Sequence, residues 1–158
     1  MREVIDKAKR LAKAILFIDE IHRFNKAQQD ALLGAVEKGI IILIGATTEN
    51  PSFEVIAPLL SRCRVITLDQ LAEEDISAII EFALHDAQRG LGEFQLELAA
   101  EARDHIIRIA DGDGRVALNS LEVAASLVMP KNKSKSPATT NPITLKDVEA
   151  AIQQKALV

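Results

Sequence analysis

Two unbroken apolar runs set the limits on this fold. Ala14-Ile15-Leu16-Phe17-Ile18 ends at Asp19-Glu20, and Ile40-Ile41-Ile42-Leu43-Ile44 ends at Gly45. Short apolar runs closed by turn-forming or charged residues predict strands buried on both faces, the pattern of parallel sheets. A helix is expected between them. Asn25 with Gln28 three residues later reads as a capping box, Ala27, Ala31, Leu32, Ala35 and Val36 recur at helical spacing, and Gly39 ends the segment. Strand, helix and strand of this length make a right-handed βαβ unit with a parallel pair.

Around this unit the rest of the chain falls into place. Arg2 to Lys13 reads as an opening helix, Phe53 to Leu60 as a short helix, and Arg64-Val65-Ile66-Thr67-Leu68 as a third strand. Beyond Leu71 no further strand is expected. Ile76, Ile79, Ile80, Ala83, Leu84 and Ala87 form one apolar helical stripe closed by Gly90. Leu98, Ala102, Ile106 and Ile109 form a second, closed by Gly112, and Val116, Leu118, Leu121, Ala125 and Val128 a third, stopped by Pro130. Lys131 to Pro142 is basic and turn-rich, a flexible loop by composition. Thr144 caps a last helix, with Asp147 at the capping-box position.

Composition narrows the function classes. With 48% hydrophobic residues the 158-residue chain can build a packed core, but five Phe and no Trp or Tyr leave that core to Ile, Leu, Val and Ala. The net charge of −4 gives no global basic field for nucleic acid, so DNA contact needs a local patch or an assembly. A single cysteine, Cys63, excludes an internal disulfide and a multi-cysteine metal site, and His22, His85 and His105 lack zinc-ligand spacing. The opening residues carry no signal-peptide core, and no apolar run approaches membrane-spanning length, so a cytoplasmic location is expected.

The chemistry-bearing residues gather at predicted strand ends. Asp19 and Glu20 follow a buried strand at the carboxyl edge, where open α/β sheets bind ligands. Apolar residues followed by Asp-Glu form a Walker B pattern, in which Asp19 holds Mg²⁺ through water and Glu20 polarises the attacking water. The same pair is also a solubilising strand end, and Asp19-Glu20-Ile21-His22 equally fits the DExH box of helicases. After the second strand comes Gly45-Ala46-Thr47-Thr48-Glu49-Asn50-Pro51, where a hydroxyl or amide can reach the lytic water or the γ-phosphate. Thr48 is favoured there, with Thr47 and Asn50 as alternates. In Ser61-Arg62-Cys63-Arg64, Arg62 is the candidate arginine finger and Arg64 the arginine expected to pair locally. A finger is worth about 10³–10⁵ in rate. Arg115 follows Asp113-Gly114 at a helix start, where the helix dipole disfavours a cation. It reads either as a phosphate contact or as a bystander beside an Asp113 cap.

The strings AILFIDEIHRFNKAQQDALLGAVEKGIIILIGATTENPSF, LLSRCRV and GDGRVALNSLE are similar to the RarA/Werner-helicase-interacting-protein family of AAA+ ATPases. They resemble clamp-loader subunits and RuvB more distantly. The resemblance covers nearly the whole chain. It implies an α/β fold: the C-terminal part of a P-loop AAA+ core over 1–70, with a short parallel sheet and helices, followed by an all-α helical lid over 71–158. It also implies roles by position. Asp19 and Glu20 match the Walker B pair and Thr48 matches sensor 1. Arg62 matches a finger acting in a neighbouring subunit, and Arg115 matches sensor 2 on the lid.

From the family come further expectations: ATP and Mg²⁺ as cofactors, and a homo-oligomeric ring, a tetramer or hexamer. DNA ends or single-stranded and gapped DNA are expected to stimulate the ATPase, with replication proteins such as single-stranded-DNA-binding protein as partners. The place of action is the nucleoid, in replication-fork maintenance, recombination and repair. No G-x-x-x-x-G-K-[ST] occurs in the chain. The resemblance puts that phosphate cradle before residue 1 and an oligomerisation domain after Val158, so the chain alone is expected to be inactive. Two other readings compete: a non-enzymatic interaction module, and a DExH-type helicase fragment, which requires a second sheet-bearing lobe beyond Leu71.

Overall fold

The computed structural model describes residues 2–11, 13–129 and 142–155. It divides into two compact units, Met1–Thr67 and Leu68–Val158.

In the first unit, α1 (Arg2–Ala8) precedes β1 (Ile15–Ile18), α2 (Lys26–Glu37) and β2 (Ile42–Gly45). The strands pair in parallel, with Ile15 opposite Ile42 and Ile18 opposite Gly45. The Asn25–Gln28 capping box is present in both directions, at 2.9 Å each way. One face of the sheet carries Leu16, Ile18 and Leu43, which pack with Leu32 and Ala35 of α2 and with Leu59. The other face carries Ile15, Phe17, Ile42 and Ile44, which are 49–68% exposed. Burial on both faces, expected from the unbroken apolar runs, therefore holds for one face only within this chain.

Three sequence expectations change here. Arg64 to Leu68 is not a strand: it is exposed and joins no ladder, and among the described residues the sheet has two strands. Its composition suits a strand, but a strand exists only through a paired neighbour, and among the described residues this segment pairs with neither β1 nor β2. The single helix expected from Phe53 to Leu60 is instead two short ones, α3 (Pro51–Glu54) and α4 (Ala57–Leu60). Pro58 explains the break. A continuous helix would have the carbonyl of Glu54 accept from residue 58, and proline has no N–H to give. The side chain of Gln29 takes over, with Nε2 donating to the Glu54 carbonyl (3.0 Å) and to the Phe24 carbonyl (2.9 Å), while Oε1 accepts from Ile56 N–H (2.9 Å). The opening helix is also shorter than expected, since it ends at Ala8.

The second unit is helical: α5 (Glu73–His85), α6 (Ala100–Ala110), α7 (Gly114–Val128) and α8 (Leu145–Lys155). Helical spacing sets the buried faces. α5 contributes Ile76, Ile80 and Leu84, α6 Ala102, Ile106 and Ala110, and α7 Ala117, Leu121, Ala124 and Ala125. The many alanines let helix axes approach closely without aromatic filler. α8 closes the bundle through Val148 and Ala151. Its entry is fixed by an isolated parallel bridge between Leu98 and Ile143 and by Asp147, which accepts from both the backbone N–H (2.8 Å) and the hydroxyl (2.6 Å) of Thr144. A second helicase lobe would need a sheet here, and the described residues after Leu71 form helices and that one bridge. The loop expected at 131–142 lies, apart from Pro142, outside the described residues. No helix among the described residues is long and apolar enough to cross a membrane.

Candidate functional site

The tip of β1 is built by two backbone bonds. Ala46 N–H donates to the Ile18 carbonyl (2.8 Å), extending the parallel ladder by one step, and Ile21 N–H donates back to the Ala46 carbonyl (3.0 Å). Asp19 and Glu20 form the turn between these anchors. Glu20 adopts the left-handed conformation, with φ 53° and ψ 50°. This costs an L-residue about 1–2 kcal/mol, and such strain persists only where neighbours over-determine it. Here the constraint is Ile21, which is buried and bonded to Ala46. Gly45 makes room for it, since a Cβ at that position would lie 3.0 Å from Ile21 Cδ1. The result is a sharp turn that leaves both carboxylates at the carboxyl edge of the sheet.

Each carboxylate has a distinct set of contacts. Asp19 is exposed, and its Oδ1 accepts from Glu20 N–H (3.0 Å). Glu20 Oε2 lies 3.0 Å from His22 Nε2, and the other ring nitrogen, Nδ1, lies 2.9 Å from Thr47 Oγ1. Thr47 Oγ1 also accepts from Glu49 N–H (3.0 Å). Asn50 Oδ1 accepts from Ser52 N–H (3.0 Å) and so caps α3. Of the three candidates in this loop, Thr47 and Asn50 are engaged, whereas Thr48 is exposed and has no side-chain hydrogen bond among the described residues.

The donor set also bears on a metal. Among the described residues no group of three His, Cys, Asp or Glu side chains could hold an ion. One accessible carboxylate, Asp19, fits Mg²⁺, which keeps most of its water and takes one or two protein carboxylates beside phosphate oxygens. It would not fit a cation that needs a full protein cage.

Arg62 does not join this cluster. Its guanidinium pairs with Glu37 (2.7 Å) and donates to the Pro58 carbonyl (2.8 Å). Glu37 ends α2, which starts near the carboxyl edge and runs back for 12 residues, or about 18 Å at 1.5 Å per residue. Arg62 is thus held toward the opposite end of the sheet from Glu20. The expected roles of the two arginines in local pairing are reversed: Arg62 makes the pair, and Arg64 has no ion-pair partner among the described residues. Arg115 belongs to the second unit, exposed in the first turn of α7. Asp113 caps that helix through Arg115 N–H (2.8 Å) and Val116 N–H (3.3 Å).

Sequence reasoning passed over two residues. In the sequence His22 stands out only for its lack of zinc-ligand spacing and as the last residue of a DExH box. Its signal lay in its place two residues after Glu20, with threonines following the paired strand. Gln29, 2% exposed, carried no signal beyond being polar on a helix face that turns inward.

Known proteins resemble this chain in both halves. Residues 1–70 match the model of the ATPase family associated with various cellular activities (AAA), and residues 92–158 match the AAA C-terminal domain. Replication-associated recombination protein A of Coxiella burnetii is 51% identical over 134 residues, which is 84% of this chain and 30% of that protein. The ATPase WRNIP1 of Dictyostelium discoideum is 51% identical over 128 residues, 78% of this chain and 14% of that protein. The chain thus spans under a third of the length of either relative. Among solved structures, the Holliday junction branch migration motor RuvB of Thermotoga maritima aligns with a TM-score of 0.72 at 24% identity, over 97% of this chain and 48% of that one. At that identity the likeness is one of fold.

Proposed function

We propose, since this chain belongs to the AAA ATPase family on the branch of replication-associated recombination protein A and WRNIP1, that it carries the water-activating and phosphate-sensing part of a DNA-dependent ATP hydrolase. One observation carries the reading. Asp19 and Glu20 sit on a strained turn at the carboxyl edge of a parallel strand, hydrogen-bonded through His22 to the loop that leaves the neighbouring strand.

In this reading residues 1–70 are the partial catalytic core and residues 71–158 the lid. Asp19 would hold Mg²⁺ through water, and the bound ion would neutralise phosphate charge. The free oxygen of Glu20 accepts a proton from water as its oxygen attacks the γ-phosphorus, the bond to the β–γ bridging oxygen breaks, and ADP leaves. The unengaged hydroxyl of Thr48 is available to the γ-phosphate or the lytic water. By its place in the GDGR motif, Arg115 is assigned the sensor-2 role.

Arg62 acts in a neighbouring subunit of a homo-oligomeric ring. Its pair with Glu37 is 43% and 42% exposed, and an exposed pair is worth about 0–1 kcal/mol, so exchanging Glu37 for phosphate costs little. The 158 residues contain no phosphate-binding glycine loop, so taken alone they do not turn over ATP. Replication-fork maintenance on single-stranded or gapped DNA, alongside single-stranded-DNA-binding protein at the nucleoid, is the setting we assign to the full-length protein.

The test is Glu20→Gln in the full-length protein. Binding of a fluorescent ATP analogue should persist while hydrolysis falls by about 10² or more. Turnover near the wild-type rate would remove Glu20 from its role.

A further inference from the structure

We infer that His22 is a positioning residue, which makes the orientation of the Glu20 carboxylate depend on the loop after β2. This deepens the hydrolase reading and rests on Glu20 being the base. A carboxylate only accepts, so the 3.0 Å contact between Glu20 Oε2 and His22 Nε2 requires the ring proton on Nε2. In the neutral ring Nδ1 is then an acceptor, and the 2.9 Å contact must be filled by the Thr47 hydroxyl proton. Thr47 Oγ1 in turn accepts from Glu49 N–H at 3.0 Å. With the neutral ring the chain of donors is unidirectional: Glu49 N–H to Thr47, Thr47 O–H to His22, His22 N–H to Glu20.

Three features make this link a constraint rather than a surface contact. The His22 side chain is 18% exposed and that of Glu20 is 32% exposed, so water competes only partly. His22 belongs to a 3₁₀ turn over Ile21–Arg23 whose first residue is buried, which limits the ring's freedom. One Glu20 oxygen is held by the ring, leaving the other for water. Thr48, the residue free to meet phosphate, is the chain neighbour of Thr47. A displacement of the loop at Thr48 is thus passed to the Glu20 carboxylate through two side-chain hydrogen bonds, with no contact between Thr48 and Glu20.

The experiment compares His22→Ala, His22→Gln, Thr47→Val and the His22→Ala/Thr47→Val pair in the full-length protein, with Glu20→Gln as reference. Each is assayed for kcat, KM and binding of a fluorescent ATP analogue. His22→Ala should lower kcat about tenfold or more, the loss of a charge-assisted hydrogen bond that orients the base. KM and analogue affinity should stay within about twofold, because phosphate cradling is not touched. His22→Gln, whose amide both donates and accepts, should recover most of the loss. Thr47→Val should reproduce a deficit in kcat, and the double variant should be no worse than His22→Ala, since both cut one chain.

The inference is overturned if His22→Ala turns over within about twofold of wild type while Glu20→Gln is dead, if His22→Gln is as impaired as His22→Ala, or if the losses multiply in the double variant. Should His22→Ala fail to fold, Thr47→Val, which removes one hydroxyl, decides on the same kcat criterion. A Glu20→Gln protein that still hydrolyses ATP at the wild-type rate would instead defeat the base assignment, and the two failures are told apart by that reference variant.

Discussion

Replacing Gln29 with methionine keeps the length and volume of the side chain and removes only its amide. Three hydrogen bonds go with it, to the carbonyls of Phe24 and Glu54 and from Ile56 N–H. At about 1 kcal/mol net each the loss is about 3 kcal/mol. It does not shrink through access to water, because Gln29 is 2% exposed and its partners are left facing a thioether. The cost should be largely local: α3 and α4 lose their clasp onto α2, and amide exchange at Ile56 should speed up by about a hundredfold.

The control is Gln28→Met, the same substitution one residue earlier. Gln28 is exposed and gives up one acceptor, to Asn25 N–H, for about 0.5–1 kcal/mol. Denaturant titration of the full-length protein, read alongside hydrogen exchange at Ile56, separates the two. Equal destabilisation by Gln28→Met and Gln29→Met, or unchanged protection at Ile56, would refute the claim that this buried amide replaces the helical bond that Pro58 cannot make.

Two further expectations concern the second unit and α2. Gly112 has φ +78°, and a Cβ there would lie 3.0 Å from Gln70 Cβ and 3.1 Å from the Leu71 carbonyl oxygen. Gly112→Ala should therefore lower stability by about 1–2 kcal/mol from backbone strain alone, whereas Gly34→Ala, inside α2 with no neighbour within 4 Å, should raise it by about 0.5–1 kcal/mol; thermal denaturation showing the same sign for both would contradict this. Asp147 is held below the ordinary carboxylate value of 3.8, first by the Thr144 hydroxyl and then by Thr144 N–H. Its contribution to stability is complete above that value and fades as pH falls through the lower folded one, so the stability gap between wild type and Asp147→Asn should close on acidification from pH 7 to about 2. A gap independent of pH would show that Asp147 acts as a neutral group.

What could be read from the sequence was whatever local chemistry decides. The β1–α2–β2 unit was legible because unbroken apolar runs and a reciprocal cap specify it within about 30 residues. The cap at Thr144 and Asp147 was legible for the same reason. Arg64 to Leu68 misled because a strand is a property of a pair, and apolar composition cannot say whether a segment is brought alongside an edge. The break at Val55–Ile56 had its cause in plain sight at Pro58, but its repair by a glutamine 25 residues upstream of Glu54 did not. At the site, Asp19, Glu20 and the threonine loop were readable as strand ends. The His22 contacts were not, because they depend on a left-handed residue that brings the chain back across the sheet edge. The partner of Arg62 was hidden for a related reason: Glu37 and Arg62 meet only once α2 has packed against α4.

The turn at Glu20 has a bearing on how such a protein can be improved. Glycine would adopt the same torsions without strain, so a screen that rewards only heat tolerance should favour substitution at this residue. With Glu20 as the proposed base, the variants it recovers would be sturdier and silent. Any library built for robustness needs position 20 frozen, or turnover scored in the same round.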